Sequence, residues 1–154
     1  MPKASRIVAT LLASALVAGP ALAQDANPAI AARQAHMDLY MFNLGLLGGM
    51  ARGNVEYNAE AASAAAANLA ALSKLDQSRY WPEGTSSLDS SESRALPELW
   101  DNIPDAIAKG QALAAAADAF AAQAGGGLEA LQAGLGPVGQ ACSACHEAYR
   151  QPDS

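Results

Sequence analysis

The sequence contains few of the residues that build β-sheets. Among residues 24–154, Val, Ile and Thr together number six, and aromatic residues make up 5% of the chain. Because strands favour β-branched and aromatic side chains, this shortage excludes a substantial sheet. Alanine supplies 39 of the 154 residues, and both alanine and leucine favour helix. The composition therefore predicts an all-α fold, and the length suits a single domain with one core.

Basic residues and long apolar stretches are also scarce. Nine Lys and Arg stand against fifteen Asp and Glu, which gives a net charge of −6 and argues against a nucleic-acid partner. No stretch after residue 23 is apolar for long enough to cross a bilayer, so we do not expect a membrane-spanning protein. With only two histidines and no Ser/His/Asp or paired-carboxylate pattern, the sequence does not predict an enzyme.

Residues 1–23 have the features of a secretory signal peptide in the right order. Lys3 and Arg6 precede an apolar stretch from Ile7 to Ala18, and Ala21-Leu22-Ala23 fits a cleavage site. An uncleaved membrane anchor is the alternative, although the stretch is short for one. Cleavage removes two basic residues and leaves residues 24–154 with a net charge of −8. We expect an acidic domain, residues 24–154, that works outside the cytoplasm.

The first of four expected helices follows Asn27-Pro28, a good cap and first helical residue, and ends near Arg52-Gly53. Apolar residues at helical spacing predict its buried face: Ile30, Met37, Met41, Leu44, Gly48 and Ala51. We also expect most large aromatic side chains of the chain to pack in the core or against a cofactor: Phe42, Trp81, Trp100, Phe120 and Tyr149.

Three more helices complete an expected antiparallel four-helix bundle. The second follows Asn58 and fades by Leu75, and residues 76–95 form a long loop. The third opens at Pro97 and runs to about residue 124, with Pro104 expected to kink it or separate its first turn. The fourth runs from Leu128 to about residue 150, with a disturbance expected near residues 136–137.

One motif carries chemistry: Cys142-Ser143-Ala144-Cys145-His146 has the C-x-x-C-H pattern of covalent c-type haem attachment. Thiols at positions i and i+3 lie on one helical face, within reach of the two vinyl groups on one haem edge. His146 lies on the same face and can bind the iron. Covalent attachment of haem c in bacteria takes place outside the cytoplasmic membrane, which agrees with export to the periplasm and requires the cytochrome c maturation machinery.

Three other functions are known for cysteines at this spacing: a redox pair, a zinc site and a disulfide. A thioredoxin-like redox pair needs a βαβ context, which this composition excludes. A structural zinc ion needs a fourth ligand, and His36 is the only remaining His or Cys. A disulfide between Cys142 and Cys145 suits an exported protein, but within a helix it would strain the backbone for little gain in stability.

The chain resembles the class II cytochromes c, the group of cytochrome c′ and the low-spin cytochrome c-556 type. The ending Cys142 to Arg150 fits the family pattern C-x-x-C-H-x-x-(aromatic)-Arg, and Arg33 with Met37 fits the family's early arginine and distal residue. Segments 50–53 and 97–100 also match. The resemblance covers essentially all of residues 24–154.

The resemblance implies one covalent haem c, with Cys142 and Cys145 as the thioether attachments and His146 as the proximal iron ligand. Arg33 and Arg150 would lie near the haem propionates or the proximal histidine. Tyr149, which follows the motif, is expected to contact the porphyrin.

The residue at the distal position separates the two branches of the family. Met37 there predicts a methionine as sixth ligand and single-electron transfer with redox proteins of the periplasm. Met41, one turn on, and His36, about 100° around the helix, are weaker candidates for the ligand. If Met37 only packs, the iron is five-coordinate and binds small gases such as NO or CO. The resemblance also implies a possible homodimer through the first helix.

Overall fold

The computed structural model describes residues 27–152; the expected signal peptide, residues 1–23, lies outside them. The regular structure of the described residues is helical, with one 3-10 turn, Ser78–Tyr80, in the long loop and one isolated bridge between Ala95 and Arg150. Five helices are present: α1 (Pro28–Ala51), α2 (Ala59–Ser73), α3 (Glu98–Asp101), α4 (Ile103–Ala121) and α5 (Leu128–Tyr149).

Polar caps begin two of these helices at the expected residues. The side chain of Asn27 accepts hydrogen bonds from the N–H groups of Ala29 and Ile30 at 3.0 and 3.4 Å. Asn58 caps α2 in the same way, accepting from Ala61 N at 2.9 Å. Such bonds satisfy backbone donors that have no partner inside the helix, so the expected starts of the first two helices are confirmed.

Pro104 divides the expected third helix. Asn102 ends the short α3 and its side chain caps α4, where Pro104 stands in the first turn. Proline lacks the N–H that a continuous helix would need at this position. Of the two outcomes expected for Pro104, the separate first turn is therefore the one observed.

The glycines at residues 125–127 separate α4 from α5 as expected. Gly127 precedes α5 with a φ of 124°, a backbone conformation that favours glycine. The fourth helix has the expected bounds, and the disturbance expected near residues 136–137 does not interrupt it, because α5 continues as helix through Pro137. That proline removes one backbone donor, but packing along the rest of α5 holds the helical path.

The four long helices form an antiparallel bundle in which each packs on two others: α1 on α2 and α5, and α4 on α2 and α5. Alanine fills much of the interior, as at Ala62, Ala66 and Ala117, each with no exposed surface. Small side chains let the helix axes approach closely. No helix within residues 27–152 is both long and apolar enough to cross a membrane.

The face that α1 buries differs from the expected one. Ile30 is buried and Met37 and Leu44 are half-buried, but Met41 is 65% exposed, and Phe42, expected in the core, is 78% exposed. The centre of the buried face is instead formed by polar and larger residues, listed here in order: Arg33, His36, Tyr40, Asn43, Leu47 and Met50. The predicted buried face is rotated from the observed one, because the prediction counted only apolar residues and so left out the buried polar residues Arg33, His36 and Asn43.

Candidate haem-attachment site

The motif residues lie on the last two turns of α5. Cys142 and Cys145 are half-buried free thiols, and Cys142 packs against the hydrophobic core. His146 is exposed, one turn beyond Cys142. Throughout residues 27–152, no three His, Cys, Asp or Glu side chains are grouped so that they could hold a metal ion between them.

Local desolvation sets the protonation of these three side chains. Burial raises the pKa of the Cys142 and Cys145 thiols, and for Cys145 the nearby Lys109 opposes the effect. Desolvation lowers the pKa of His146, and the positive charges of Arg150 and Arg94 lower it further. At neutral pH the imidazole is therefore largely uncharged, which is the form that binds iron.

Arg33 is 5% exposed and holds the long loop against α1. Its Nη1 donates to Tyr80 O at 3.1 Å and Thr85 Oγ1 at 2.9 Å, and its Nη2 donates to Thr85 O at 2.5 Å and Ser93 Oγ at 2.6 Å. The guanidinium also lies 5.0 Å from the centre of the Trp81 ring. None of these four acceptors is a carboxylate, so the buried positive charge is solvated by neutral oxygens.

One turn further along α1, His36 and Tyr40 bury polar atoms that have no partner. The two side chains are 3% and 7% exposed, and neither His36 Nε2 nor Tyr40 Oη makes a hydrogen bond. Burial, with the neighbouring Cys142 thiol and Tyr80 hydroxyl, raises the pKa of Tyr40 to about 12. Tyr40 therefore lies where α1 faces the haem motif on α5, a position that the sequence did not predict for it.

Tyr149 lies at the interface between α5 and α4. Its side chain is 7% exposed, and its hydroxyl donates to Asp105 Oδ2 at 2.5 Å. Lys109 Nζ lies 3.4 Å from the same carboxylate oxygen. Asp105 and Lys109 also lie close enough to Cys145 to affect its pKa, so α4 contributes charges to the motif. A contact of Tyr149 with a porphyrin stays a prediction.

The chain beyond α5 is fixed to the end of the long loop. Leu96 N donates to Tyr149 O at 2.9 Å, and Gln151 N donates to Arg94 O at 2.8 Å. Arg150 therefore lies beside residues 94–96, with its charge and that of Arg94 near His146. This pairing is long-range in sequence, and no local signal at residues 94–96 would have predicted it.

A four-helix bundle with C-x-x-C-H on its last helix has the fold and motif of the class II c-type cytochromes. The family model described as cytochrome C′ matches residues 28–150, which is essentially the whole of the described bundle. The chain belongs to the cytochrome c′ family.

Individual relatives agree with this assignment. The chain is 41% identical to cytochrome c-554 of Cereibacter sphaeroides over 150 residues, covering 96% of this chain and 98% of that protein. A solved cytochrome c′ from Rhodobacter sphaeroides superposes with a TM-score of 0.79 at 34% identity, covering 82% and 97% of the two chains. Another solved structure, described as a cytochrome c′ with an unusual ligand-controlled dimer dissociation, gives a TM-score of 0.73 at 31% identity over 81% and 95%.

Family membership gives the chain its cofactor, one covalently bound haem c with iron, for which two cysteines are present. Several features of the structure fit this group. The half-buried thiols of Cys142 and Cys145 adjoin the core, and the neutral His146 follows them. On α1, the buried charge of Arg33 without a carboxylate suits a propionate, because isolated buried charges are costly. The donor set therefore matches the charges and apolar surface of haem.

Proposed function

We propose that the protein transfers single electrons through its haem, with Cys142 and Cys145 as thioether attachments, His146 as proximal ligand and Met37 as sixth ligand. When bound, the haem supplies one-electron chemistry at iron. The observation that carries the proposal is the juxtaposition of the α5 motif with the buried face of α1, where Tyr40 neighbours Cys142. The chain's own contribution is to bind, orient and partly bury the group.

The order of residues along α1 supports Met37 as the distal ligand. Arg33, Met37 and Tyr40 lie within about 60° of one another around the helix, given 100° per residue. Arg33 supplies a positive charge suited to the propionate edge, whereas Tyr40 lies beside Cys142 and so beside the thioether edge. Met37 stands between them, half-buried against the core, at the level where the centre of the porphyrin would lie.

Met41 does not meet the same requirement. Its side chain is 65% exposed, about 100° around α1 from Tyr40. His36 is buried but faces the backbone of Leu72 on α2. These positions support Met37 over both alternative ligands.

A five-coordinate iron that binds NO or CO is the second candidate function. Its support is the solved relative with ligand-controlled dimer dissociation, in which ligand binding and assembly are linked. Methionine is flexible and packs into irregular spaces, so Met37 can lie beside the haem without ligating it. An absorption spectrum separates the two functions, because a sixth protein ligand gives low-spin iron and slow or absent binding of CO.

The apolar outer face of α1 supports a homodimer as the assembly. Leu39 and Phe42 are 51% and 78% exposed, and they line a groove of about 350 Å³ together with residues of α2, among them Leu72 and Leu75. Exposed clusters of this kind mark association surfaces. Phe42→Lys should shift a dimer to monomer in sedimentation, whereas Leu88→Lys, at an 84% exposed loop position, should not.

We place this activity in the periplasm, after removal of residues 1–23 and haem attachment by the maturation machinery, with redox proteins there as partners. Arg150 and Arg94, near His146, would contribute positive charge at the proximal side. The mass of the purified protein tests the first part. It should equal residues 24–154 plus one haem, and retention of residues 1–23 would show an uncleaved anchor.

The central experiment is an absorption spectrum of the purified protein, ferric and ferrous, before and after acid-acetone extraction. Haem should stay on the polypeptide, and Cys142→Ser or Cys145→Ser should each remove one thioether and red-shift the α-band of the pyridine haemochrome. A sharp low-spin α-band without CO binding supports electron transfer. A high-spin spectrum with ready CO binding favours the gas-binding function, and haem that extracts freely contradicts the attachment sites.

A further inference from the structure

Two buried polar side chains on α1 remain without a role in the haem site as proposed. His36 and Tyr40 are one helical turn apart, their ring centres are 4.8 Å apart, and the rings are inclined by 42°. His36 Nε2 and Tyr40 Oη are both solvent-inaccessible and both lack a hydrogen-bond partner. The two atoms do not bond to each other, so the close approach of the rings does not satisfy them.

Three other parts of the chain enclose this pair on α1. Tyr80, from the 3-10 turn, packs edge-on against the His36 ring at 5.6 Å. His36 also faces the backbone of Leu72 on α2, and Cys142 on α5 neighbours Tyr40. The pair thus lies inside the bundle, away from the outer face of α1 that carries Phe42.

The hydrogen-bonding capacities of the two atoms are complementary. Burial lowers the pKa of His36, and the backbone of Leu72 partly opposes that shift. A neutral imidazole carries one donor and one acceptor nitrogen, and with its other nitrogen toward the Leu72 backbone, Nε2 is the acceptor. Tyr40 Oη carries a donor. A site that offers one donor and one acceptor, on neighbouring rings whose centres are 4.8 Å apart, matches a single molecule that can accept from one and donate to the other.

Leaving both atoms unsatisfied is energetically unfavourable, since a buried polar group without a partner loses its hydration and gains nothing in return. Phenylalanine and leucine would fill the same positions without that cost. The presence of two such buried polar atoms, on adjacent and enclosed rings, therefore points to a bound hydrogen-bonding partner. Buried waters in proteins occupy sites of this kind, with two or more polar neighbours.

We propose that Tyr40 Oη and His36 Nε2 bind one water molecule, which accepts from Tyr40 and donates to His36 at the edge of the haem pocket next to Cys142. The position beside the haem rests on the proposed function, whereas the two unpartnered atoms do not. A fixed water there gives the apolar pocket one oriented dipole close to the thioether edge. Both Tyr40 and His36 act as positioning residues.

A crystal structure of the haem-loaded protein at about 1.5 Å resolution tests the site directly. We expect one spherical density peak at hydrogen-bonding distance, about 2.7–3.2 Å, from both Tyr40 Oη and His36 Nε2. Absence of density, with both atoms still unpartnered, would overturn the proposal. So would direct bonding of both atoms to protein groups or to the haem.

Thermal unfolding of the haem-loaded variants gives an independent measurement. Tyr40→Phe should lower the Tm by roughly 2–6 °C if a water links the two side chains, and His36→Leu should remove most of that effect of Tyr40→Phe. An unchanged or higher Tm for Tyr40→Phe identifies a hydroxyl without a partner and contradicts the proposal. The matched control is Tyr57→Phe, which removes bonds to Ala124 O and Gly127 N. It should lower the Tm equally in the wild-type and the His36→Leu backgrounds.

The outcomes separate this proposal from the proposed function. If covalent haem with the expected spectrum is present but no water is found, only the water site is wrong. If haem can be extracted from the protein, the attachment residues are wrong, and density between Tyr40 and His36 would still support the water site.

Discussion

The Tyr149 hydroxyl donates a 2.5 Å hydrogen bond to Asp105 Oδ2 and so joins the haem-motif helix to the start of α4. Each residue of this hydrogen bond shifts the pKa of the other. The bond lowers the pKa of Asp105 and raises the pKa of Tyr149 to about 12. It also closes the bundle at the end where the motif lies, because Lys109 joins the same carboxylate.

This bond should make stability depend on pH in a defined window. The Asp105 contribution is present above the usual aspartate pKa and disappears as pH falls through its lowered folded value. The Tyr149 contribution is present below the usual pKa of about 10 and disappears as pH rises toward 12. Tyr149→Phe should therefore destabilise the protein at pH 7 but have little effect at an acidic pH below the lowered pKa of folded Asp105. Urea unfolding at the two pH values measures the difference, and Tyr57→Phe, which has no carboxylate partner, should show no such acid dependence.

Met37→Ala should change the haem spectrum if Met37 is the sixth ligand. Loss of the thioether should remove the weak charge-transfer band of the ferric protein, convert the iron to high spin, lower the reduction potential and allow CO to bind. Spectroelectrochemistry and CO titration measure these changes.

Met41→Ala is the matched control on the same helix. Because Met41 is 65% exposed, the substitution should change the free energy of unfolding by no more than about 0.5 kcal/mol, and it should leave the spectrum unaltered. A spectral change in Met41→Ala alone would place the distal ligand one turn further along α1. No change in either variant would favour five-coordinate iron.

Gly134→Ala should destabilise the bundle, because Gly134 lies directly beneath the ring of Phe120. A methyl group there would collide with Phe120, which has no exposed surface and cannot move aside freely. Overpacking of this kind costs about 1–3 kcal/mol. Gly110→Ala, at an exposed and open position of α4, should instead stabilise by about 0.5–1 kcal/mol. Chemical denaturation distinguishes the two, and equal effects would contradict the packing.

Arg33→Lys should release the loop at residues 76–95 from α1. Lysine cannot reproduce the fork of bonds to Tyr80, Thr85 and Ser93, so we expect a loss of about 2–4 kcal/mol. Thermolysin should then cut within residues 76–95 faster than in the wild type, as read by mass spectrometry. Arg52→Lys, at an exposed position, should leave cleavage unchanged; equal cleavage in both variants would show that Arg33 does not secure the loop.

The sequence predicted the helices well where the signal was local. Asn27, Asn58 and the glycines at residues 125–127 act on the few residues beside them, so the ends they mark agree with the structure to within a few residues. Pro104 was correctly expected to disturb the third helix. The fourth helix was expected to run from Leu128 to about residue 150, and α5 does so without an interruption at Pro137, although proline removes one backbone bond.

The sequence was less informative about faces and distant contacts. It placed Met41 and Phe42 inside, and both are exposed, because helical spacing gives a stripe but not its orientation in the bundle. It gave Arg33 a role toward haem, which stays a prediction, but it could not show that the guanidinium binds loop oxygens 47 to 60 residues away. His36 and Tyr40 were not expected as a buried pair, since a polar residue is ordinarily read as exposed.

The sequence by itself determined the all-α fold, the ends of most helices and the class of cofactor. These depend on composition, on capping and on the C-x-x-C-H spacing, all of which act over a few residues. Only the tertiary structure decided that Tyr149 meets Asp105, that Arg33 anchors the loop and that His36 and Tyr40 face each other without partners beside Cys142. Those contacts depend on how α1, α4 and α5 are rotated against one another, and that rotation follows from packing of the whole bundle, which no local pattern encodes.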